Sequence, residues 1–269
     1  MDRSRALASV EWLATATGTH SVDAWVTLGS GWGPLTSPWP APQWTVDLGE
    51  VPGFTKPVAE GHLGSLSLFA LEGVAVLVSS GRTHLYEGLG VRPVVHGVRT
   101  AAALGASMVV LTNANGSLRP DFEIGQPVII RDHINATGVS PIEGAHFVDL
   151  TDAWSPRLRA IAHTLDPTLA EGVYCQLRGP HYNTAAEADW LRRVGGDLVG
   201  MSTIPEAIAA REAGMEVFGL STVTAIEGSS EVIDPSEVVA AAERTASGLG
   251  GLIADLLVRG AGEKSQVNL

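Results

Sequence analysis

Apolar residues recur along the chain at two alternating spacings. Leu7, Val10 and Leu13 fall at helical intervals within residues 4–17, and a polar break from Thr19 to Asp23 leads into AWVTLG (24–29), a short strand ending in a glycine turn. Residues 32–62 are rich in proline and tryptophan and show little periodicity. LSLFAL (66–71) and VAVLVSS (74–80) then read as a hairpin around Glu72-Gly73. From residue 93 onward strands and helices alternate. Pro93 opens a helix over 93–104, and SMVVLTN (107–113) is a continuous apolar run suited to a strand buried on both faces. Strands are expected at 127–134, 172–179, 197–202 and 215–224, with helices at 156–165, 184–195 and 205–214. The closing helix begins at Asp234-Pro235-Ser236-Glu237, where Asp234 caps, Pro235 fits the first turn and Glu237 completes the box. Its apolar face carries Val238, Ala242, Leu249, Ile253 and Leu256, and the tail 262–269 is expected to fray.

This alternation predicts an α/β fold, a mixed sheet covered by helices on both faces, with functional residues in loops at the strand ends. No repeat, linker or composition break divides residues 1–269, so one domain is expected.

Composition narrows the function classes. With 17 Lys plus Arg against 29 Asp plus Glu, the net charge of -12 repels nucleic acid and anionic membrane surfaces. The single cysteine, Cys175, makes no internal disulfide, and the first residues lack the apolar core of a signal peptide, so a reducing cytoplasm is the expected compartment. No apolar run approaches the roughly 18 residues of a membrane span.

Three segments hold more polar and glycine residues than turns require. In Leu28-Gly29-Ser30-Gly31-Trp32-Gly33, a glycine loop directly after a strand, backbone N–H groups and the Ser30 hydroxyl suit an anion, although the loop lacks the lysine of a triphosphate loop and reads equally as a plain turn. In Gly81-Arg82-Thr83-His84-Leu85-Tyr86, alternate residues of an extended segment bring Arg82, His84 and Tyr86 to one side, where an arginine fork beside an imidazole suits phosphate; the competing reading is a solvated surface loop. The third is GPHYNT (179–184) with GMST (200–203). There Tyr182 suits stacking on a flat ring, Asn183 reading of its edge, Met201 packing on a sugar, and Ser202 donation to an anion at a helix start. Asn113, in TNANGS after the strand 107–112, occupies a similar place; each residue alone also serves as a cap or turn.

Other chemistries find less support. The histidines are scattered without metal-ligand spacing, and no metal is expected. Cys175 sits mid-strand among apolar neighbours and reads as inert, no GxSxG elbow is present, and Trp25, Trp32, Trp39, Trp44 and Trp154 read as packing or subunit contacts.

At these residues the sequence resembles the trimeric purine nucleoside phosphorylases, most closely their actinobacterial members. The resemblance spans LGSGWG (28–33), EGHLG (60–64), GRTHLYEG (81–88), HGVRTAAALGA (96–106), VLTNANGSL (110–118), RDHIN (131–135), FVDLTD (147–152), GPHYNT (179–184) and VGMSTIPEAIAAREAGMEVFG (199–219). It implies a mixed sheet partly closed into a barrel and flanked by helices, a homotrimer with sites near subunit boundaries, and reversible phosphorolysis of a nucleoside to base and α-ribose 1-phosphate, with inorganic phosphate as co-substrate and no other cofactor. Carried over, Ser30, Arg82, Thr83, His84, the Ala114 backbone and Ser202 hold phosphate, with His62 covering it. Tyr86 and Met201 touch the ribose, and Tyr182 packs on the base.

The departures from the family pattern lie on the nucleoside side. Asn183 stands where the family has a purine-binding glutamate, Thr224-Ala225 where it has an asparagine at the N7 and six-oxo edge, and Asp234-Pro235 near the expected place of a ribose-binding histidine. Glu227, two residues past Ala225, is a candidate for the missing carboxylate. The resulting expectation is a purine nucleoside phosphorylase with altered base or 5′ specificity. The alternatives are a methylthioadenosine-phosphorylase-like activity on 6-aminopurine nucleosides, a hydrolase using water, and a catalytically weak homologue acting as a binding or assembly partner.

Overall fold

A computed structural model describes residues 3–58, 62–228 and 234–267. Within these, Arg3–Thr17 (α1) leads to Ala24–Leu28 (β1), every residue of which is buried, as a strand covered on both faces requires. Trp44–Asp47 (β2) lies inside the proline- and tryptophan-rich stretch that showed no periodicity; it is an edge strand paired only to the next one, so nothing imposes an alternating pattern on it. Ser65–Leu71 (β3) and Val74–Ser80 (β4) form the expected hairpin, and Glu72 (φ 48°) and Gly73 (φ 91°) supply the two positive-φ positions of its two-residue turn.

The helix expected over 93–104 is two pieces, Val91–Val94 (α2) and His96–Ala103 (α3), broken at Val95. Met108–Ser117 (β5) runs beyond the expected strand, so Asn113 to Ser117 belong to the strand rather than to a following loop. Pro127–Asn135 (β6), Pro156–Leu165 (α4), Ala170–Gln176 (β7), Ala185–Arg193 (α5), Leu198–Gly200 (β8), Ile204–Glu212 (α6), Glu216–Ile226 (β9) and Pro235–Val267 (α7) follow. Strand β7 ends at Gln176, which frees 177–183 as a loop, and α5 starts from a capping box between Thr184 and Glu187. Asp234 Oδ1 accepts from the Ser236 amide at 2.8 Å, and α7 continues as helix through most of the tail expected to fray; residues 268 and 269 lie outside the described residues.

The described strands form one nine-stranded mixed sheet in the order β2-β3-β4-β1-β5-β8-β7-β6-β9. An additional parallel pairing of β5 with β9 closes its second half into a barrel. One apolar cluster joins α1, α3 and α6 to Trp25, Val109 and Val217; another joins α4 and α7 to Val26, Val110 and Phe218. Neighbouring residues of each strand thus feed opposite cores, which is the physical content of the continuous apolar runs. The β5–β9 register shifts between Asn115 and Gly116, a bulge at the barrel rim that re-aims the residues after it. No helix among the described residues is long and apolar enough to cross a membrane.

Candidate active site

Above the bulge lies a cleft whose walls come from seven separate stretches of chain. Strand β1 delivers Gly29 and Ser30. A side chain at Gly29 would strike the Thr112 carbonyl and the Asn113 backbone, so the glycine lets the loop lie directly on β5. Ser30 Oγ is 3.2 Å from His62 Nε2, and His62 Nδ1 accepts from the Arg82 amide at 3.1 Å. Because Nδ1 accepts, Nε2 carries the proton of the neutral ring. Burial, reinforced by the neighbouring His84 and Arg82, pushes His62 down to about 3.

Arg82 is 5% exposed and held from three sides. Its Nη1 donates to the Thr112 carbonyl at 2.7 Å and to Ser202 Oγ at 3.2 Å, and its Nε lies 3.1 Å from Glu206 Oε2. Nη2 has no hydrogen-bond partner among the described residues, leaving a buried donor at the cleft. Glu87 accepts from the His84 amide at 2.7 Å and lies 3.3 Å from His84 Nδ1, while the Tyr86 ring stacks on His84 with centroids 4.6 Å apart. Burial lowers His84 despite the nearby carboxylate and raises Tyr86 to about 12, so both are uncharged at neutral pH.

Ser202 and Thr203 stand at the start of α6, and Thr203 has φ 86°, a strained conformation for a branched residue. Thr203 Oγ1 accepts from Asn113 Nδ2 at 3.0 Å, and Asn113 Oδ1 accepts from Ser221 at 2.7 Å, so Asn113 braces this corner from inside the barrel. Ala114, Tyr182, Asn183, Met201, Thr224, Ala225 and Glu227 are also part of the lining.

Two expected residues are not in the cleft lining: His62 reaches it only through Ser30, and Thr83 turns away from it altogether. Its hydroxyl shares a 2.6 Å hydrogen bond with Thr55, and the residue lines a second cavity behind Arg82. Alternation along the extended residues Arg82, Thr83 and His84 sends Thr83 to the opposite side, whereas Tyr86, expected from the same alternation, reaches the cleft from a 3-10 turn at Leu85–Glu87. Of the EGHLG segment, Glu60 and Gly61 lie outside the described residues.

Residues 37–257 match the model of the phosphorylase superfamily. Over 249 residues, 92% of this chain and 93% of the relative, the sequence is 50% identical to a purine nucleoside phosphorylase of Mycobacterium tuberculosis. It is 47% identical over 261 residues to that of a Cellulomonas species, covering 94% and 93% of the two chains. The chain belongs to the purine nucleoside phosphorylase family. Its fold matches a crystal structure of Schistosoma mansoni purine nucleoside phosphorylase in complex with adenosine at a TM-score of 0.85 and 30% identity, covering 94% of this chain and 96% of that one.

Within this family the chain is of the actinobacterial type, and purine nucleoside phosphorylases are pentosyltransferases. Glu227, left open by the sequence, lines the cleft: it is 6% exposed, and its Oε2 accepts from Asn183 Nδ2 at 3.1 Å. Sequence reasoning missed Asn115, Gly116, Glu206 and the cleft-facing role of Val238. The signal for Glu206 was present as a carboxylate in the apolar helical run IPEAIAA. Nothing local marked Val238, which sits on the same apolar stripe as the core residues of α7.

Proposed function

We propose that the chain splits a purine (2′-deoxy)ribonucleoside with inorganic phosphate, releasing the free base and α-(deoxy)ribose 1-phosphate. A phosphate oxygen bonds to the anomeric carbon as the C–N bond breaks, and the bonding pair leaves with the base. The sugar is cationic in between, so rate comes from fixing the anion below it and accepting charge on the base above it. The observation that carries this reading is one cleft lined by Ser30, Arg82, His84, Ala114 and Ser202 together with Tyr86, Tyr182, Asn183, Met201 and Glu227. Arg82 supplies the positive charge, Ser30 and Ser202 donate hydroxyls, and His62, bonded to Ser30, covers the phosphate. Tyr86 and Met201 flank the sugar, Tyr182 packs on the base, and Ala225, lacking any hydrogen-bonding side chain, leaves the base contacts to Asn183 and Glu227.

The test is free-base release from inosine, guanosine, adenosine and 5′-methylthioadenosine with and without phosphate, read by chromatography. Phosphate-dependent release is expected. Release without phosphate supports a hydrolase, release from the adenine compounds alone supports the methylthioadenosine-type activity, and release from none supports a binding or assembly role. We also propose a homotrimer acting in the cytoplasm. The assembly follows from the resemblance, and the compartment is supported by a lone, buried Cys175 whose thiol burial raises to about 12. Sedimentation velocity tests the assembly.

A further inference from the structure

We propose that Glu206 is a positioning residue that acts through Arg82 as its resident counter-ion: phosphate competes with it for the guanidinium, so the carboxylate holds phosphate affinity down while it stabilises the phosphate-free protein. The inference rests on the phosphorolysis reading for the identity of the anion but not for its geometry.

Arg82 lines two cavities at once. One is the cleft, and the other, of about 30 Å³, lies behind it and is also lined by Thr27 and Glu206. Glu206 lines the second cavity and not the cleft, so its carboxylate and a phosphate in the cleft meet the guanidinium from opposite sides. Both side chains of the pair are buried, and Arg82 Nε lies 3.1 Å from Glu206 Oε2. Neither of these two atoms has a hydrogen-bond partner among the described residues, so the contact is one of charge rather than an aligned N–H···O bond. Such a contact imposes little direction. A second anion at the unpartnered Nη2 weakens it without breaking a hydrogen bond.

Glu206 does not depend on Arg82 alone for its place. It stands in the first turn of α6, where the positive end of the helix dipole favours a carboxylate. Burial raises its carboxyl, while the Arg82 charge, the Thr27 hydroxyl and the Thr203 amide favour the ionised form. Thr27 Oγ1 accepts from Trp25 Nε1 at 2.7 Å, which leaves its own proton for an acceptor such as Glu206. Thr27 belongs to β1 and Thr203 to the start of α6, so both keep their places when the charge of Arg82 is drawn toward phosphate.

This arrangement has two consequences. A buried guanidinium without a counter-charge is costly, so Glu206 stabilises the fold before any phosphate arrives. Once phosphate is bound, two anions share one cation and repel each other across it. At the effective dielectric of a protein interior, a like charge that close lowers an affinity by roughly 10-fold or more. The same repulsion favours release of a sugar phosphate held by the same guanidinium. A residue that only packs, or only completes the start of a helix, does neither.

The test measures calorimetric binding of inorganic phosphate, thermal unfolding with and without phosphate, and steady-state kinetics in the wild type, E206Q and E206D. E206Q keeps the shape of the side chain and removes its charge. It is expected to bind phosphate roughly 10-fold more tightly. Without phosphate it should unfold at a lower temperature than the wild type, and phosphate should raise its unfolding temperature by more than it raises that of the wild type. Its KM for phosphate should fall by a similar factor, while kcat does not rise and the nucleoside KM stays within about twofold. E206D keeps the charge but withdraws it by one methylene, so it should show the same tightening in smaller measure, and it decides the question if E206Q does not fold. Unchanged or weaker phosphate binding in the folded variants overturns the proposal, since a packing or helix-start role alone gives that result. If the wild type binds phosphate yet splits no nucleoside with it, the phosphorolysis reading fails and the change in phosphate affinity still decides this one. A wild type that binds no phosphate overturns both.

Discussion

The two ends of the cleft are built by different means. At the Arg82 end a buried guanidinium meets Glu206, the Thr112 carbonyl and Ser202, and the α6 start is braced by Asn113 from within the barrel. At the Glu227 end one hydrogen bond joins Asn183 to the carboxylate, and Tyr182 is 45% exposed. A cross-linked charge site tolerates little change, because removing one member leaves another buried and uncompensated. A site resting on one pair and an open aromatic accommodates substitution, and Asn183 and Ala225, where the resemblance leads one to expect departures from the family pattern, line that end.

The sharpest way to break this contrast is Arg82→Ala. It should lower phosphorolysis roughly 10³-fold and, by stranding Glu206 in the interior, destabilise the fold by about 3–5 kcal/mol; phosphate-dependent kinetics and thermal unfolding read the two effects. A variant that kept both would show that the charge pair is idle.

Acid stability tests the same end without changing a residue. His62 is held near 3 against an ordinary 6.5, and burial also lowers His84 and His133. Between those values the unfolded chain binds more protons than the folded one. The contribution of His62 is therefore present above about pH 6.5 and falls as pH drops toward 3, by up to about 1.4 kcal/mol per pH unit, and His84 and His133 act in the same direction. Urea unfolding across this window should show the slope, and His62→Gln should flatten it.

Gly116→Ala probes the other end. The new methyl must displace the Glu227 carboxylate, so kcat/KM for the nucleoside should fall roughly 10- to 100-fold while the KM for phosphate stays within about twofold. A matching loss of phosphate affinity would mean that the ends are coupled. The smallest effect belongs to Thr83→Val, which removes the hydrogen bond to Thr55 at a cost of about 1 kcal/mol in stability. The phosphate KM should not move, and a rise would return Thr83 to the cradle.

Much of the scaffold was legible because it is written in local pattern. Runs such as AWVTL and MVVL report strands buried on two faces, the Glu72-Gly73 turn reports a hairpin, and Arg82-Thr83-His84 announces its own alternation. The breaks were not legible. The interruption at Val95 and the extension of β5 through TNANGS depend on what packs there, since polar residues stay in a strand when barrel neighbours satisfy them, as Ser221 and Thr203 satisfy Asn113. The sequence by itself determined the order of the elements apart from β2 and the division of α2 from α3, the absence of charge suited to polyanions, and most of the residues that meet in the cleft. Tertiary structure alone decided which of them touch: Arg82 with Glu206, Ser30 with His62, and Asn183 with Glu227, each pair far apart along the chain. Periodicity fixes the face on which a side chain emerges, whereas its partner is set by strand order, by the β5–β9 closure and by the bulge at Asn115 and Gly116, which no local spacing encodes.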